Sequence, residues 1–573
     1  MAQPPAPDSA PPEPPEPDPY APQAWAPGEK PLLPGSPSTP EHLPAKRLAY
    51  GVVGFVVAIT GGLGNALVIA NLPYLQGALG AYASEMQWLP AAYVMGIVSM
   101  NLLLVKFRQQ FGLRLFTEAF LLLYALATLA HLFVHGLGSA IAVRVAAGIS
   151  GAALTVLGLY YVLQAFPAQH RLKGLVLGIG FPQLALPLAR LFSAELLEYG
   201  EWRGLYLFEF GLALLALGCV LLLPLPPGDR VKRFEKLDFI TFALFAPGVA
   251  LLSAVLALGR TVWWFEAPWL GYSLVGAIVL ICASLAIEHN RAEPLLNTRW
   301  LTNAQITQVA LSVLLTRVVL SEASGTVGFL QALGLNNDQM QTLWLVVVAG
   351  AIAGLAASAL TLTPATLSYS LMLSLVLIAI GATMDSFATN LTRPANMYLS
   401  QFLLAFGSTF FLGPTFVAGF GAVLGAPHNL ISFSVMFTIT QNLGGLIGTA
   451  MVGTFQSVRE KYHSSQLVEH LTLLDPQVAA RIQAGAGALG GAINDPAARN
   501  AQGVAALGAA ATREANVLAY NDVFLAIAAV AVLTLGWMLT SALWSRCSGQ
   551  PKPAPPNPQA GMATVSIANS EAR

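Results

Sequence analysis

Charge is what this chain of 573 residues lacks most: only 10% of its residues are Asp, Glu, Lys or Arg. A soluble globular protein carries about 25%. So little charge cannot coat a 60.3 kDa protein in water, which excludes a soluble enzyme. Neither sign dominates, with 28 basic and 28 acidic residues, so neither a polyanionic partner nor nucleic acid is implied. Cysteine is scarce too. Cys219, Cys282 and Cys547 stand far apart, which excludes a disulfide framework or a zinc-ligand spacing. His131 and His135 are four apart at the edge of an apolar run with no third ligand nearby, so no metal site is expected. Gly61-Gly62-Leu63-Gly64 lies inside an apolar run without a Walker lysine, which excludes a phosphate cradle and direct drive by ATP. No catalytic residues and no cofactor are expected.

Hydrophobic residues make up 55% of the chain, and the mean hydropathy is +0.64. A transmembrane helix needs roughly 20 apolar residues, and runs of that length recur almost from end to end. The chain reads as an all-α polytopic membrane protein. Polar breaks predict about fourteen spans, near 49–72, 86–105, 114–134, 138–163, 174–194, 204–224, 238–258, 268–287, 304–326, 341–362, 366–386, 397–421, 428–454 and 520–544. Sixteen of the first 45 residues are proline, so 1–47 is expected to be a disordered tail. It is followed by a six-helix half (48–225), two inserted helices (226–300) and five helices of a second half (301–455). A loop with short helices (456–519), the last span (520–545) and a disordered tail (546–573) complete the chain. Asp475-Pro476 and Asp495-Pro496 each predict a helix start in that loop.

Basic residues of short loops set the orientation. With the N-terminus in the cytoplasm, the inner loops hold Lys106, Arg108, Arg114, Arg171, Lys173, Arg230, Lys232, Arg233, Lys236, Arg291 and Arg299. The short outer loops hold only Arg203, Arg260 and Arg393. Both termini are therefore expected in the cytoplasm, with 456–519 outside. A short internal repeat is also visible. Leu75-Gln76, Leu79-Gly80 and Met86-Gln87 after span one reappear as Leu330-Gln331, Leu333-Gly334 and Met340-Gln341 after span nine. Pairing span one with span nine gives a 6+2+6 arrangement.

Charges inside the spans are the informative residues, because each costs about 2.5–3.5 kcal/mol at the bilayer centre on insertion scales. Arg144, Arg190, Glu195, Glu209, Arg317 and Glu322 qualify. Five residues separate Arg190 from Glu195 and Arg317 from Glu322, a turn of about 140°, so neither pair closes within its own helix. Each needs a partner on a neighbouring helix. One reading is fixed ion pairs that lock helices together. The other is proton coupling: desolvation favours a protonated carboxyl and a nearby guanidinium favours the ionised form, so a change of surroundings loads and releases a proton. On that reading Glu209 and Glu322 carry the proton and Arg144, Arg190 and Arg317 tune it. Neutral candidates for a substrate cavity are Asn65, Asn71, Gln76, Gln331 and Gln441. Pro182 and Pro187 mark a hinge in span five, and Pro247 and Pro414 interrupt spans seven and twelve. Small residues such as Gly148 and Gly178 mark close helix packing.

Several stretches together resemble the fourteen-helix drug:proton antiporter branch of the major facilitator superfamily, from about residue 48 to 545. They are GNALVIANLPYLQGALG…SEMQWLPAAYVM, the loop QQFGLRLF with Gly112 and Arg114, and Ala140 to Arg144 through Gly148 and Gly151. Glu201-Trp202-Arg203, KLDF at Lys236 to Phe239, LGRTVWWFEAPWL and Ala519-Tyr520-Asn521-Asp522 add to them. The resemblance implies a major facilitator fold, with two halves rocking around a central cavity. It also implies drug export driven by the proton motive force, a role for Arg144 in coupling, and a bacterial inner-membrane location. For 456–519 it implies a periplasmic adaptor and outer-membrane channel as partners; a helical cap without a partner is the other reading. The transport unit is expected to be a monomer with a small-molecule substrate, in contact with the lipid bilayer. The sequence departs from the branch in four places. The first-span acid would fall at Gly64, the acid of the loop between spans two and three is Gln109, the span-five motif survives only as Gly178, Gly180 and Pro182, and a span-thirteen arginine is Gln441. An organic-anion facilitator or symporter, and a membrane scaffold that does not transport, are the alternatives.

Overall fold

The computed structural model describes residues 35–291, 294–319, 322–363, 366–424, 429–488 and 491–547, with 20, 25 and 29–31. A few side chains within helices, including that of Glu322, fall outside the described set. The described residues form helices and no strands. In chain order they are α1 (Pro44–Ala70), α2 (Leu72–Leu79), α3 (Trp88–Phe111), α4 (Leu113–Ala130), α5 (Leu137–Ala165), α6 (Arg171–Gly180), α7 (Ala185–Leu222), α8 (Lys236–Leu258) and α9 (Pro268–His289). The series continues with α10 (Thr298–Leu301), α11 (Ala304–Val319), α12 (Glu322–Ala332), α13 (Gln341–Thr361), α14 (Leu367–Asp385), α15 (Tyr398–Leu424), α16 (Leu430–Glu469), α17 (Pro476–Ala488) and α18 (Pro496–Cys547).

Thirteen helical stretches among the described residues are long and apolar enough to cross a membrane. The expected ninth span, 304–326, takes in residues 320 and 321, which lie outside the described residues; its described parts are helical in α11 and α12, with an apolar stretch at Ile306–Val318. Expected spans five and six merge into one helical run in α7. The ring centroids of Phe192 and Phe208 are nevertheless 6.0 Å apart, where a straight helix would hold them about 24 Å apart. The chain therefore doubles back between them and crosses twice. Pro247 and Pro414 sit inside α8 and α15, which remain single helices.

The internal repeat has a matching backbone. Gly80 ends α2 with φ +59°, and Gly334 follows α12 with φ +83°, a left-handed conformation that favours glycine. Ala81 N–H then bonds to the Gln76 carbonyl (3.3 Å) and Leu335 N–H to the Leu330 carbonyl (3.0 Å). A 3₁₀ turn follows each, Glu85–Gln87 and Asn337–Met340, and leads into the next long span. Leu75, Leu330, Met86 and Met340 are all buried.

Helices α1 and α3 to α7 pack against one another, as do α11 to α16 with α18. The two sets meet through α6 and α7 on α13, α6 on α15, and α3 on α16. The pair α8 and α9 lies beside this seam, with α8 on α3 and α16. A charge cluster fixes the pair at the end expected to face the cytoplasm. Lys106 of α3 bonds to Asp238 of α8 (2.8 Å), and Arg291 bonds to Asp238 (2.9 Å), Glu288 (2.7 Å) and Glu235 (2.6 Å). Asp238 and Glu288 are buried. Burial works against the Arg291 charge, yet its bonds to Glu235, Glu288 and Asp238 hold its pKa above the ordinary arginine value.

Residues 35–43, inside the stretch expected to be a disordered tail, are seated on the same end. Ser36 and Ser38 are buried. Ser38 N–H bonds to the Pro227 carbonyl (2.9 Å), and the Ser38 carbonyl accepts from Gln164 (2.8 Å). At the opposite end α16 and α18 run on past membrane length. The 52 residues of α18 span about 78 Å, against a hydrocarbon core of about 30 Å. Both Asp-Pro starts are present: the Asp475 and Asp495 carboxylates accept from Gln477 N–H (2.8 Å) and Ala497 N–H (3.0 Å). The second helix is not short, however, because it continues unbroken into the last span.

Asp238→Asn removes the charge that two buried cations share. Breaking a buried pair costs about 3–5 kcal/mol, so the thermal unfolding midpoint in detergent should fall clearly. Arg114→Ala, at an exposed i,i+4 pair with Glu118, should change stability by less than about 1 kcal/mol.

Candidate functional site

Inside the spans of the first half, a buried guanidinium and a buried carboxylate come together at Gly64 of α1. Arg144 of α5 is fully buried. Its Nη1 donates to the Gly64 carbonyl (2.8 Å), its Nη2 to Asn65 Oδ1 (2.6 Å) and its Nε to the Leu89 carbonyl (3.4 Å). The guanidinium lies 4.6 Å from the centroid of the Tyr93 ring. Glu209, from the second limb of α7, approaches the other side of the same residue. A Cβ at position 64 would collide with Glu209 Oε1 and with the Tyr124 hydroxyl. Glycine at 64 therefore leaves the space that these two groups occupy.

Tyr124 of α4 donates to Glu209 Oε1 (2.8 Å), with the Thr60 carbonyl 3.1 Å from the same hydroxyl. Glu209 Oε2 is buried without a hydrogen-bond partner. Arg144 and Glu209 make no ion pair: the guanidinium rests on neutral oxygens and the carboxyl on a phenol. Close packing of α3 on α5 lets Arg144 reach two helices at once. At Gly148 any larger residue would strike the Tyr93 carbonyl.

The remaining candidates are dispersed. Arg317 of α11 donates to the Gln441 carbonyl (3.1 Å) and to Gln183 Oε1 (3.4 Å), a residue of the 3₁₀ turn Phe181–Leu184. Arg317 and Gln441 line a small cavity of about 10 Å³ within the second half, among α11, α15 and α16, at the lower limit for one water. Arg190 of α7 sits nearer the end expected to face outward, with Asn337 and Trp344 of the other half. Asn71 is buried and donates to Ser193 Oγ (2.9 Å). Gln331 is exposed and Gln76 half-buried in α2 with no side-chain hydrogen bond, so neither is brought to the centre. Glu195 is exposed and accepts from Gln341 (3.0 Å). Glu322 lies outside the described side chains.

Of the motif residues, Gly112 ends α3 with φ +83°. Arg114 is exposed and pairs with Glu118 on its own helix, away from the second half. Gly178 lets α6 approach Leu159 of α5. Pro182 lies in the 3₁₀ turn that breaks span five, and Pro187 in the first turn of α7.

Residues 54–465 match the Major Facilitator Superfamily. The chain belongs to that superfamily. It is a multi-pass membrane protein and a secondary transporter of the major facilitator fold. The chain is similar to an uncharacterized MFS-type transporter, YhcA, of Bacillus subtilis (strain 168), at 22% identity over 450 residues, or 76% of this chain and 80% of that protein. Its fold is similar to that of the human organic anion transporter MFSD10 (TETRAN), with a TM-score of 0.51 and 11% identity, covering 86% of this chain and all of that one.

Four residues that the structure places beside buried polar or charged groups went unnoticed in the sequence. Tyr93, Tyr124 and Gln183 are neutral residues in apolar helices and leave no charge signal. Asp385 is a carboxylate at a span edge; it is buried and accepts from Gln401 (2.7 Å), which also donates to Thr326 (2.9 Å). Gly64→Ala is expected to push Glu209 from Tyr124, at a stability cost of about 1–3 kcal/mol. Transport should be lost while the folded protein can still be purified, as size-exclusion chromatography and flux on the same sample would test.

Proposed function

We propose that this transporter is a proton-coupled exporter of small amphipathic organic compounds, in the drug:proton antiporter branch. On this reading it works by alternating access in a bacterial inner membrane. One observation carries the reading: Glu209 and Arg144 share Gly64 but do not neutralise each other. A buried ionisable group within a span is costly, and one that is not locked in an ion pair is available to titrate.

With Glu209 protonated, the carboxyl rests beside Tyr124, and Arg144 holds α1 through Gly64 and Asn65. Loss of the proton leaves a buried charge that Arg144 neutralises only by leaving those α1 acceptors. Ionisation therefore loosens α1 from α5, and the two protonation states favour different packings of the first half. Arg144 is the positioning residue and Glu209 the proton carrier. Arg317, bonded to Gln183 across the two halves, is the element through which the centre opens. No cofactor is involved, and the proton motive force drives transport. The helical projection formed by the ends of α16 and α18 with α17 is the surface on which a periplasmic adaptor would dock.

The test uses inverted membrane vesicles with an acid interior and a pH-sensitive dye, challenged in turn with lipophilic cations, weak acids and phenolics. At least one compound should collapse the gradient in the native protein. In Glu209→Gln that proton movement should fall by tenfold or more, about 1.4 kcal/mol of coupling. Labelled substrate crossing without proton movement in the native protein would exclude antiport.

A further inference from the structure

A second arginine is buried without any acid. Arg190 of α7 is 7% exposed, and no carboxylate among the described residues forms an ion pair with it. Glu195, the nearest acid on its own helix, is exposed and bonded to Gln341 instead. Arg190 Nη1 reaches Asn337 Oδ1 only at 3.4 Å, and its Nε–H has no acceptor. The guanidinium carbon lies 5.1 Å from the centroid of the Trp344 ring. Trp344 is 4% exposed, and its indole Nε1–H is also without an acceptor. Two buried donors side by side, one of them charged, lack an acceptor between them.

We propose that Arg190 and Trp344, with Asn337 positioning the guanidinium, bind the acidic group of the substrate, a monocarboxylate with an aromatic body. This rests on the exporter reading above and specifies its substrate class. A buried guanidinium with no counter-charge costs several kcal/mol, and native proteins rarely leave buried N–H groups unpaired. A carboxylate supplies both missing features. It accepts from the planar guanidinium in charge-assisted bonds, and it accepts from the indole N–H. An aromatic body packs on the Trp344 ring.

The site is built from both halves. Arg190 comes from α7, whereas Asn337 and Trp344 come from the 3₁₀ turn before α13 and from α13 itself. Asn337 also donates to the Ala70 carbonyl at the end of α1 (3.0 Å). The anion is therefore held only while the halves are closed at this end, and opening separates its ligands. Leu197 and Glu198, about 10 Å further along α7, line an open cleft of about 580 Å³ with Tyr74, Trp202 and Asp338. The Glu198 and Asp338 carboxylates repel an anion released there, which disfavours rebinding.

The experiment measures binding of 2-naphthoate, 2-naphthamide and 2-naphthylmethylammonium to the full-length protein in nanodiscs by isothermal titration. The three probes share one ring system and differ in charge. The native protein should bind naphthoate about tenfold tighter than the amide, with the ammonium weakest. Arg190→Gln should bring naphthoate and amide to within about twofold of each other, Arg190→Lys should keep part of the difference, and Trp344→Phe should weaken naphthoate alone. Equal binding of naphthoate and amide by the native protein, tighter binding of the ammonium, or an unchanged preference in Arg190→Gln and Arg190→Lys would overturn the proposal. The readout needs no proton movement, so its failure is distinct from a failure of coupling. Proton flux without a naphthoate preference removes this site alone, and a preference without flux removes antiport alone.

Discussion

The absence of a side chain at position 64 is the constraint on which the first half of this transporter depends. Gly64 exposes its carbonyl to Arg144 on one side and its α-carbon to Glu209 and Tyr124 on the other. Four helices, α1, α4, α5 and α7, thus converge on one residue, and Arg144 adds α3 through Leu89 and Tyr93. The branch that the sequence resembles has an acid at this position. Here the carboxylate comes from a different helix and fills the space that an acid at 64 would need. The departure in the sequence and the buried acid in α7 are one feature, because either residue alone would be anomalous.

The interior charges divide into two kinds with different physics. Lys106, Asp238, Arg291 and Glu288 are paired and buried, and they tie the inserted helices to α3. Such a network is worth little net energy against an apolar core, but removal of any member strands the others. It therefore fixes the position of α8 and α9 rather than adding stability. Arg144 and Arg190 rest on neutral oxygens and aromatic faces instead. Groups held in that way can exchange partners at low cost, which movement between two packings requires.

Much of the fold was legible because the membrane enforces long apolar helices. The repeat at Leu79-Gly80 and Leu333-Gly334 was legible because only glycine takes the left-handed turn cheaply. The Asp-Pro pairs marked helix starts for an equally local reason. Other features depend on distant contacts. The polar break between expected spans five and six marked the reversal in α7, but not that the backbone stays helical as it doubles back near Gly204. Lys106 and Arg291 read as loop residues and Asp238 as the first residue of a span, although they are buried against one another. Within the site, charge in an apolar run pointed to Arg144, Glu209 and Arg190. Their partners Tyr124, Tyr93, Trp344 and Asn337 look like ordinary helix or turn residues. Gln331 was paired with Gln76 by the repeat, yet the repeat conserves the backbone turn and leaves Gln331 exposed.

The most direct measurement relocates the carboxylate. Glu209→Gly and the double variant Glu209→Gly with Gly64→Asp would be compared for substrate-driven proton movement in vesicles with matched protein content. If the position of the acid beside Arg144 is what matters, the single variant loses proton movement and the double variant regains a substantial part of it. Full proton movement in Glu209→Gly alone would contradict a carrier role for Glu209 and place the coupling elsewhere, with Asp385 the next buried carboxylate to examine.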